Sequence, residues 1–305
     1  MRQAFLKELT RSMEQDPSVY LLVGDTGFHV FDDFQETFRD RYLNTGLCEA
    51  AMVGMAAGLA VAGKRVFVYG IAPFVTFRCF EQIRVDLCYA NLPVTIVGVG
   101  AGLTYGPAGV THHTIEDVAV LSALPNMTVV CPGDPVEAGA ATREIMSLPG
   151  PCYLRLGKSG EPVVHQDEPA DFRIGRGIRL REGRGVALIA SGSMLPTAVA
   201  AAEILAESGL EPEVISMHTV KPLDEELVLD VARRCGTIAT IEEHVARGGL
   251  GSAVGDTILA AGAGVRMLRF ALPDAYACEA GSQAYLRAAY GLTAGDIAGR
   301  ILNHG

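Results

Sequence analysis

The sequence predicts an α/β fold in two domains, a parallel-sheet domain over residues 1–165 followed by a smaller mixed-sheet domain over 176–305. Three observations carry that expectation. A length of 305 residues suits two domains, because domains cluster at roughly 100–150 residues. Short apolar, β-branched runs alternate with helical stretches in both halves, the rhythm of a parallel sheet with helices on its faces. Between residues 158 and 177 the rhythm lapses into KSGEPVVHQDEPADFRIGRG, rich in Gly, Pro and charge and without a sustained period.

The elements follow in order. MRQAFLKELTRSMEQD sets Phe5, Leu9 and Met13 on one helical face between charges, which predicts an amphipathic helix and neither a signal h-region nor a transit peptide. VYLLVGD, VFVYG, PVTIVGVG and TVVCP read as strands, with PCYLRLG as the last strand of this half and helices over 49–62, 77–90 and 136–146. The second half restarts with VALIASGS, PEVISM, TIATIEE and VRMLRFAL as strands and helices over 195–208, 224–234 and 251–260. The longest weakly polar run, 50–63, is too short to span a bilayer, which takes about 20 residues.

Composition narrows the function classes. Lys and Arg number 25 against 35 Asp and Glu, a net charge of -10, which argues against a nucleic-acid footprint or a polybasic membrane patch. An anionic substrate would need local basic residues. The hydrophobic fraction of 49% and mean hydropathy of +0.26 predict apolar surface facing another chain. Seven scattered cysteines without a C-x-x-C pair predict reduced, mostly buried thiols in a cytoplasmic protein.

The most informative stretch is NTGLCEAAMVGMAAGLAVAGKRVFVYG, where one carboxylate, Glu49, opens a helix of Ala, Gly, Met, Val and Leu. The helix N-terminus favours its anion by about 0.3–1 kcal/mol, whereas burial can raise a carboxyl pKa by up to ~3–5 units. Burial is expected to dominate and leave Glu49 protonated or sharing a proton. The same pattern also fits a capping acid in a tight helix–helix contact. Further on, Phe74, Phe77 and Phe80 stand three residues apart, close to one helical face, where they can clamp a flat heterocycle or pack as core. In GVGAGLTYGPAGVTHHTIED the glycines permit tight backbone near a ligand, and His112-His113 reads either as a reactive pair or as a loop pair capping a helix.

With G-L-C-E and its small-residue helix, this half resembles the pyrimidine-binding domain of the transketolase family. The resemblance implies that Glu49 hydrogen-bonds the aminopyrimidine ring nitrogen of thiamine diphosphate and that Phe74, Phe77 and Phe80 line the pyrimidine pocket. The loop resembles the family's G-x-x-G-x-T-H-Q, which implies that His112 contacts substrate oxygens, with His113 at the usual glutamine. VGDTG is similar to the family's G-S/D-A-D-L and places Asp25 at the cofactor. Lys158 and Arg2 match positions that bind the sugar phosphate. The sequence departs from the family at Pro107-Ala108, where an acid is common, at Gly100, where many relatives carry histidine, and at Thr26, where a bulky apolar residue is common.

IASGSM, HTVKPLDEE and EEHVARGGLGSAV are similar to the C-terminal domain shared by transketolases, deoxyxylulose-phosphate synthases and 2-oxoacid dehydrogenase β subunits. Glu242, Glu243 and His244 read as the polar end of a strand, and GGLG as a weak phosphate signal. The family's magnesium and diphosphate motif, G-D-G followed by N, is nowhere in the chain. The resemblance therefore implies a transketolase C-terminal subunit, active only with an N-terminal partner that holds Mg (or Ca) and the diphosphate. An α2β2 heterotetramer transferring a two-carbon ketol unit is the expectation. The rival readings are a 2-oxoacid dehydrogenase β-type or deoxyxylulose-phosphate-synthase-like subunit, and a non-enzymatic scaffold.

Overall fold

Strands that are apolar on both faces need a helix layer on each side, so they pair into buried parallel sheets. A computed structural model describes residues 1–27, 30–169 and 171–303. The first half supplies β1 (Val19–Val23), β2 (Tyr42–Asn44), β3 (Arg65–Ile71), β4 (Val94–Val99), β5 (Thr128–Val130) and β6 (Cys152–Leu156). The second supplies β7 (Ile178–Arg181), β8 (Gly185–Ala190), β9 (Glu213–Ser216), β10 (Thr219–Lys221), β11 (Cys235–Val245) and β12 (Arg266–Leu272). Among the described residues they form a seven-stranded sheet in the order β10-β5-β6-β4-β3-β1-β2 and a five-stranded sheet in the order β12-β11-β8-β9-β7. The two-domain α/β fold with a mostly parallel first sheet and a mixed second sheet is the one the sequence predicts.

Parallel pairing from β2 across to β5 puts the carboxyl ends of these strands on one edge, the edge where open α/β sheets bind ligands. The N-terminal helix, Arg2–Gln15, buries Phe5, Leu9 and Met13 completely and packs against the helix Pro135–Ile145. Each such side chain contributes about 1.5–3 kcal/mol. On the other face the helix Glu49–Val61 presses Met52, Val53 and Ala56 into a core that continues through Ala187, Ile189, Ile215 and Leu250 of the second half. The halves thus share hydrophobic contacts and do not sit as separate beads. Cys79, Cys88, Cys131, Cys152 and Cys235 are buried free thiols, and Cys48 and Cys278 are exposed. No helix among the described residues is long and apolar enough to cross a membrane.

Three expectations change. PCYLRLG is the last strand of the first half, as expected, but the sheet does not stop with that half: β6 lies between β4 and β5, and β10, from the second half, adds an antiparallel edge with Thr219 opposite Val130. The helix expected over 77–90 is instead a helix Ala72–Thr76 with Pro73 in its first turn, one turn at Phe80–Gln82, and wide π-type turns over Ile83–Tyr89. Cys79 (φ -106, ψ 12) leaves helical geometry between the pieces. That break re-phases Phe80 relative to Phe74 and Phe77, which stay on one continuous turn. β2, β7 and the helices Asp32–Thr37 and Gln283–Ala289 are too brief to carry a period, whereas Ala294–Leu302, with its Thr293 capping box and Ile297 and Ile301 on one face, carries a helical signal although it is not among the expected elements.

Candidate active site

Glu49 is the first residue of its helix, preceded by Cys48, which makes no side-chain cap, and by Gly46 at φ +72. With 3% of its surface exposed it is nearly dry, and a Cβ at Gly24 would sit 3.5 Å from its Cγ. It is not the isolated acid the sequence suggests. Arg78 Nη1 donates to Glu49 Oε2 at 2.7 Å, and the same guanidinium lies 4.7 Å over the Phe74 ring. The carboxylate is therefore half of an ion pair whose cation is half in solvent. The expectation of a proton held by burial alone omitted this partner.

From Phe74 the site continues as a row of rings. His112 meets Phe74 edge-on at 5.2 Å and Tyr105 at 5.9 Å, and its Nδ1 lies 3.0 Å from Thr111 Oγ1. Lys158 Nζ sits 5.0 Å over the Tyr105 ring. Arg2 lies beside both Tyr69 and Tyr105; burial pushes both phenols up, and the Arg2 charge works against that shift. Glu49 and Arg78 thus stand at one end of the row, with Lys158 and Arg2 flanking Tyr105 at the other. Such a gradient suits a ligand with a heterocycle at one end and an anion at the other.

The remaining expected residues are dispersed. Asp25 takes the left-handed conformation (φ 51), accepts a hydrogen bond from Asn44 Nδ2 at 3.0 Å, and lines a 230 Å³ hollow with Thr26, Phe31, Asp32 and Tyr42. A non-glycine residue there stores strain, a feature that clusters at ligand sites. His113 is turned inward, 4% exposed, with Nε2 3.3 Å from the Gly106 carbonyl oxygen. Phe77 is exposed and Phe80 packs against the core, so neither joins Phe74 in the row. Sequence reasoning missed Arg78 and Tyr105. The first was legible in principle, because Phe74 and Arg78 are four residues apart, a spacing that brings side chains together on a helical turn.

In the second half, Glu242, Glu243 and His244 end β11 as expected, yet each has a separate partner. Glu242 accepts the Leu250 and Gly251 N–H groups at 2.7 and 2.8 Å. Burial still pushes its carboxyl up to about 7. The donors in GGLG that could have bound phosphate are thus filled by the chain's own acid. His244 Nε2 accepts from Ala119 N at 3.2 Å while Nδ1 faces the Val245 carbonyl oxygen at 2.7 Å, and burial lowers its pKa. Among the described residues no cluster of three His, Cys, Asp or Glu side chains is placed to hold a metal ion.

The chain matches the family model for the transketolase pyrimidine binding domain over residues 1–162 and that for the transketolase C-terminal domain over residues 175–297. It is 35% identical over 258 residues to an apulose-4-phosphate transketolase subunit of Phocaeicola vulgatus, a match that covers 84% of this chain and 83% of that protein. It is 38% identical over 265 residues to the 6-deoxy-6-sulfo-D-fructose transketolase subunit SqwH of Clostridium sp. (strain MSTE9), covering 87% of this chain and 81% of that protein. A solved structure described as a split gene transketolase, inactive beta4 tetramer, superposes with a TM-score of 0.90 at 35% identity, covering 99% of this chain and 96% of that one.

Proposed function

The chain belongs to the transketolase family, as its pyrimidine-binding and C-terminal domains, and from that premise we propose that it is the C-terminal subunit of a split, thiamine-diphosphate-dependent transketolase. The reaction moves a two-carbon ketol unit from a phosphorylated ketose to an aldehyde. One observation carries the reading: a nearly dry carboxylate, Glu49, opens an apolar helix at the ligand-binding edge of a parallel sheet and pairs with Arg78, whose guanidinium lies over the Phe74 ring, with Lys158 over Tyr105 farther along the row. The likeness to a split-gene transketolase, and to relatives that are themselves named as transketolase subunits, supports a second polypeptide as partner. We place the diphosphate and its Mg (or Ca) on that partner, in an α2β2 assembly.

The residues fit the pyrimidine half of the cofactor, because a buried carboxylate linked through Arg78 to an aromatic ring suits a flat ring with a protonatable nitrogen. When bound, thiamine diphosphate supplies a nucleophilic carbon and an electron sink for breaking and forming the carbon–carbon bond beside a carbonyl. Glu49 holds a proton at the ring nitrogen through Oε1, the oxygen that Arg78 does not engage. Phe74 offers its face to the ring, and Asp25 borders the same edge. His112, fixed between Phe74 and Tyr105, binds a substrate oxygen and moves its proton. Lys158 and Arg2 draw the anionic end of the sugar, Lys158 as a point charge and not a bidentate fork.

The test combines this chain with the second polypeptide, thiamine diphosphate and magnesium, and assays ketol transfer beside 2-oxoacid decarboxylation. Ketol transfer is the expected result. Release of carbon dioxide without it overturns the proposal in favour of a 2-oxoacid dehydrogenase or deoxyxylulose-phosphate-synthase-like subunit, and neither activity in a formed complex favours a scaffold.

A further inference from the structure

The loop 100–114 carries Tyr105, His112 and His113, so whatever fixes it fixes the middle of the row. Its root is closed on itself: Gly102 and Thr114 exchange backbone hydrogen bonds, both at 2.9 Å. Beyond that bridge the loop is held from the other domain. Glu243, buried at the end of β11, accepts the Leu103 N–H on Oε1 at 2.6 Å. Gln283 Nε2 donates to both Glu243 oxygens, at 2.9 and 3.1 Å, and to Thr104 Oγ1 at 3.2 Å. Arg287 pairs with Glu243 Oε2 and donates to Ser193 Oγ at 2.8 Å. The Leu103 side chain is fully buried in the second domain's core, among residues of the cluster that includes Leu188, Ile241 and Leu286.

Two further features show that the clamp is built into the backbone. Gly102 sits at φ +66, and a Cβ there would lie 2.2 Å from Glu243 Oε1, so both its conformation and the carboxylate exclude a side chain. Arg155 Nη2 donates to the carbonyl oxygens of Thr114 and of Glu243 itself, at 3.0 and 3.1 Å, joining the Thr114 side of the loop's root to the residue that holds its Leu103 side. Among the described residues the His112 side chain, by contrast, meets Thr111 and two aromatic rings, and its backbone N–H donates to the Gly109 carbonyl oxygen within the same loop at 3.0 Å. Its position is inherited from the loop.

We propose that Glu243 of the C-terminal domain, braced by Arg287 and Gln283, is a positioning residue that sets the substrate loop and through it His112. It touches no substrate. The assignment rests on the transketolase reading for its kinetic consequence and on geometry alone for its structural one, and the experiment separates the two. On the full chain, backbone hydrogen exchange is followed in wild type, Glu243→Ala, Glu243→Gln and Gln283→Ala. Peptides covering 100–114 should exchange about 100-fold faster in Glu243→Ala, with an intermediate effect in Glu243→Gln, which keeps an acceptor for Leu103 N–H, and with helix 49–61 unchanged. Unchanged exchange at the loop, or equal acceleration everywhere, overturns the proposal. If Glu243→Ala does not fold, Gln283→Ala must still loosen the loop selectively, or the proposal falls.

In the assembled enzyme, Glu243→Gln should raise the ketose KM about tenfold while thiamine diphosphate affinity stays at the wild-type level, because Glu49 lies outside the clamp. A loss of cofactor affinity matching the loss in KM would overturn the positioning role. A wild-type complex without ketol transfer would sink the functional reading and leave the exchange result to judge the clamp.

Discussion

Replacing Glu49 with glutamine keeps size and polarity and removes the capacity to shuttle a proton, so its effect on rate can be separated from its effect on stability. The stability term follows from the ion pair. Losing one partner of a fully enclosed pair costs about 3–5 kcal/mol, but an exposed pair is worth only ~0.2–1 kcal/mol. Arg78 is 51% exposed against 3% for Glu49, and the glutamine oxygen still accepts from the guanidinium. The substitution therefore costs about 1 kcal/mol, near the exposed-pair limit, a fall in Tm of roughly 2–4 °C. Losing a positioned acid–base group lowers rate about 10²- to 10⁴-fold. Instability of ~1 kcal/mol cannot account for that, since folded domains hold about 5–15 kcal/mol in reserve. The assay is ketol transfer by the assembled enzyme beside a thermal melt of the chain alone. Turnover within tenfold of wild type, with Tm in the stated range, would refute the assignment of Glu49 to proton placement.

Other perturbations test other parts of the molecule. Lys158→Met should raise the KM for a phosphorylated ketose about 10- to 100-fold, the worth of a hydrogen bond to a charged group, and leave an unphosphorylated analogue unaffected; equal loss for both would remove Lys158 from anion binding. Arg155→Met strands Asp117, which is fully buried and bonded to Arg155 Nε at 2.8 Å. Burial alone would raise the Asp117 pKa, but the guanidinium beside it leaves it lowered. The variant should lose about 3–5 kcal/mol, seen as a Tm lower by roughly 10 °C or more. His165 supplies a pH test: its Nδ1 lies 3.2 Å from Asp134 Oδ2 and its Nε2 3.5 Å from Glu137 Oε1. Burial would lower the His165 pKa, but the two carboxylates raise it. Burial would also raise Asp134, but His165 and backbone N–H groups hold it at about 2, while burial pushes Glu137 up to about 7. A raised histidine stabilises fully below its ordinary value of 6.5, and that contribution is lost as pH climbs through the folded value. A raised Glu137 acts in the same direction, because ionisation of the unfolded chain above 4.5 favours unfolding until about 7. Buried His218, held down to about 4, and His244, also lowered, gain stability as pH rises toward 6.5, so the cluster shows above that point: wild-type Tm should fall from about pH 6.5 to 8, and His165→Gln should flatten that slope; parallel curves would refute the cluster's role.

Much of the fold could be read from sequence because its signals are local. Phe5, Leu9 and Met13 repeat with helical period and are buried on one face. Runs such as VTIVGV are apolar on every residue, as a central parallel strand must be, and β4 is buried at all six positions. Glu49 stood out for a similar reason, a charge with no polar neighbour along its helix. What failed was long-range or a matter of phase. β10 joins a sheet whose other strands end at Leu156, more than sixty residues earlier, and three residues of TVK carry no sign of which edge they will find. Phe80 fell out of phase because equal spacing assumed a continuous helix, and Cys79 interrupts it after Phe77.

The same distinction explains why the site was only half legible. Glu49, Phe74 and His112 each lie in a stretch whose composition is odd by itself, so the residues could be named before their neighbours were known. Arg78 and Glu243 look ordinary where they stand, one a surface cation after a phenylalanine and the other the middle of three polar residues at a strand end. Their significance arises from what folding brings to them: a buried carboxylate 29 positions away for Arg78, and the backbone of a loop 140 positions away for Glu243. A burial penalty can be anticipated from a sequence; the Phe74–Arg78 spacing shows in it too, but that this guanidinium reaches Glu49 is decided by topology. Reading Glu49 as an unpaired acid was the direct result. A lone charge in an apolar helix is therefore held by whatever distant guanidinium or amide the fold delivers to it, and here that group is the half-exposed Arg78.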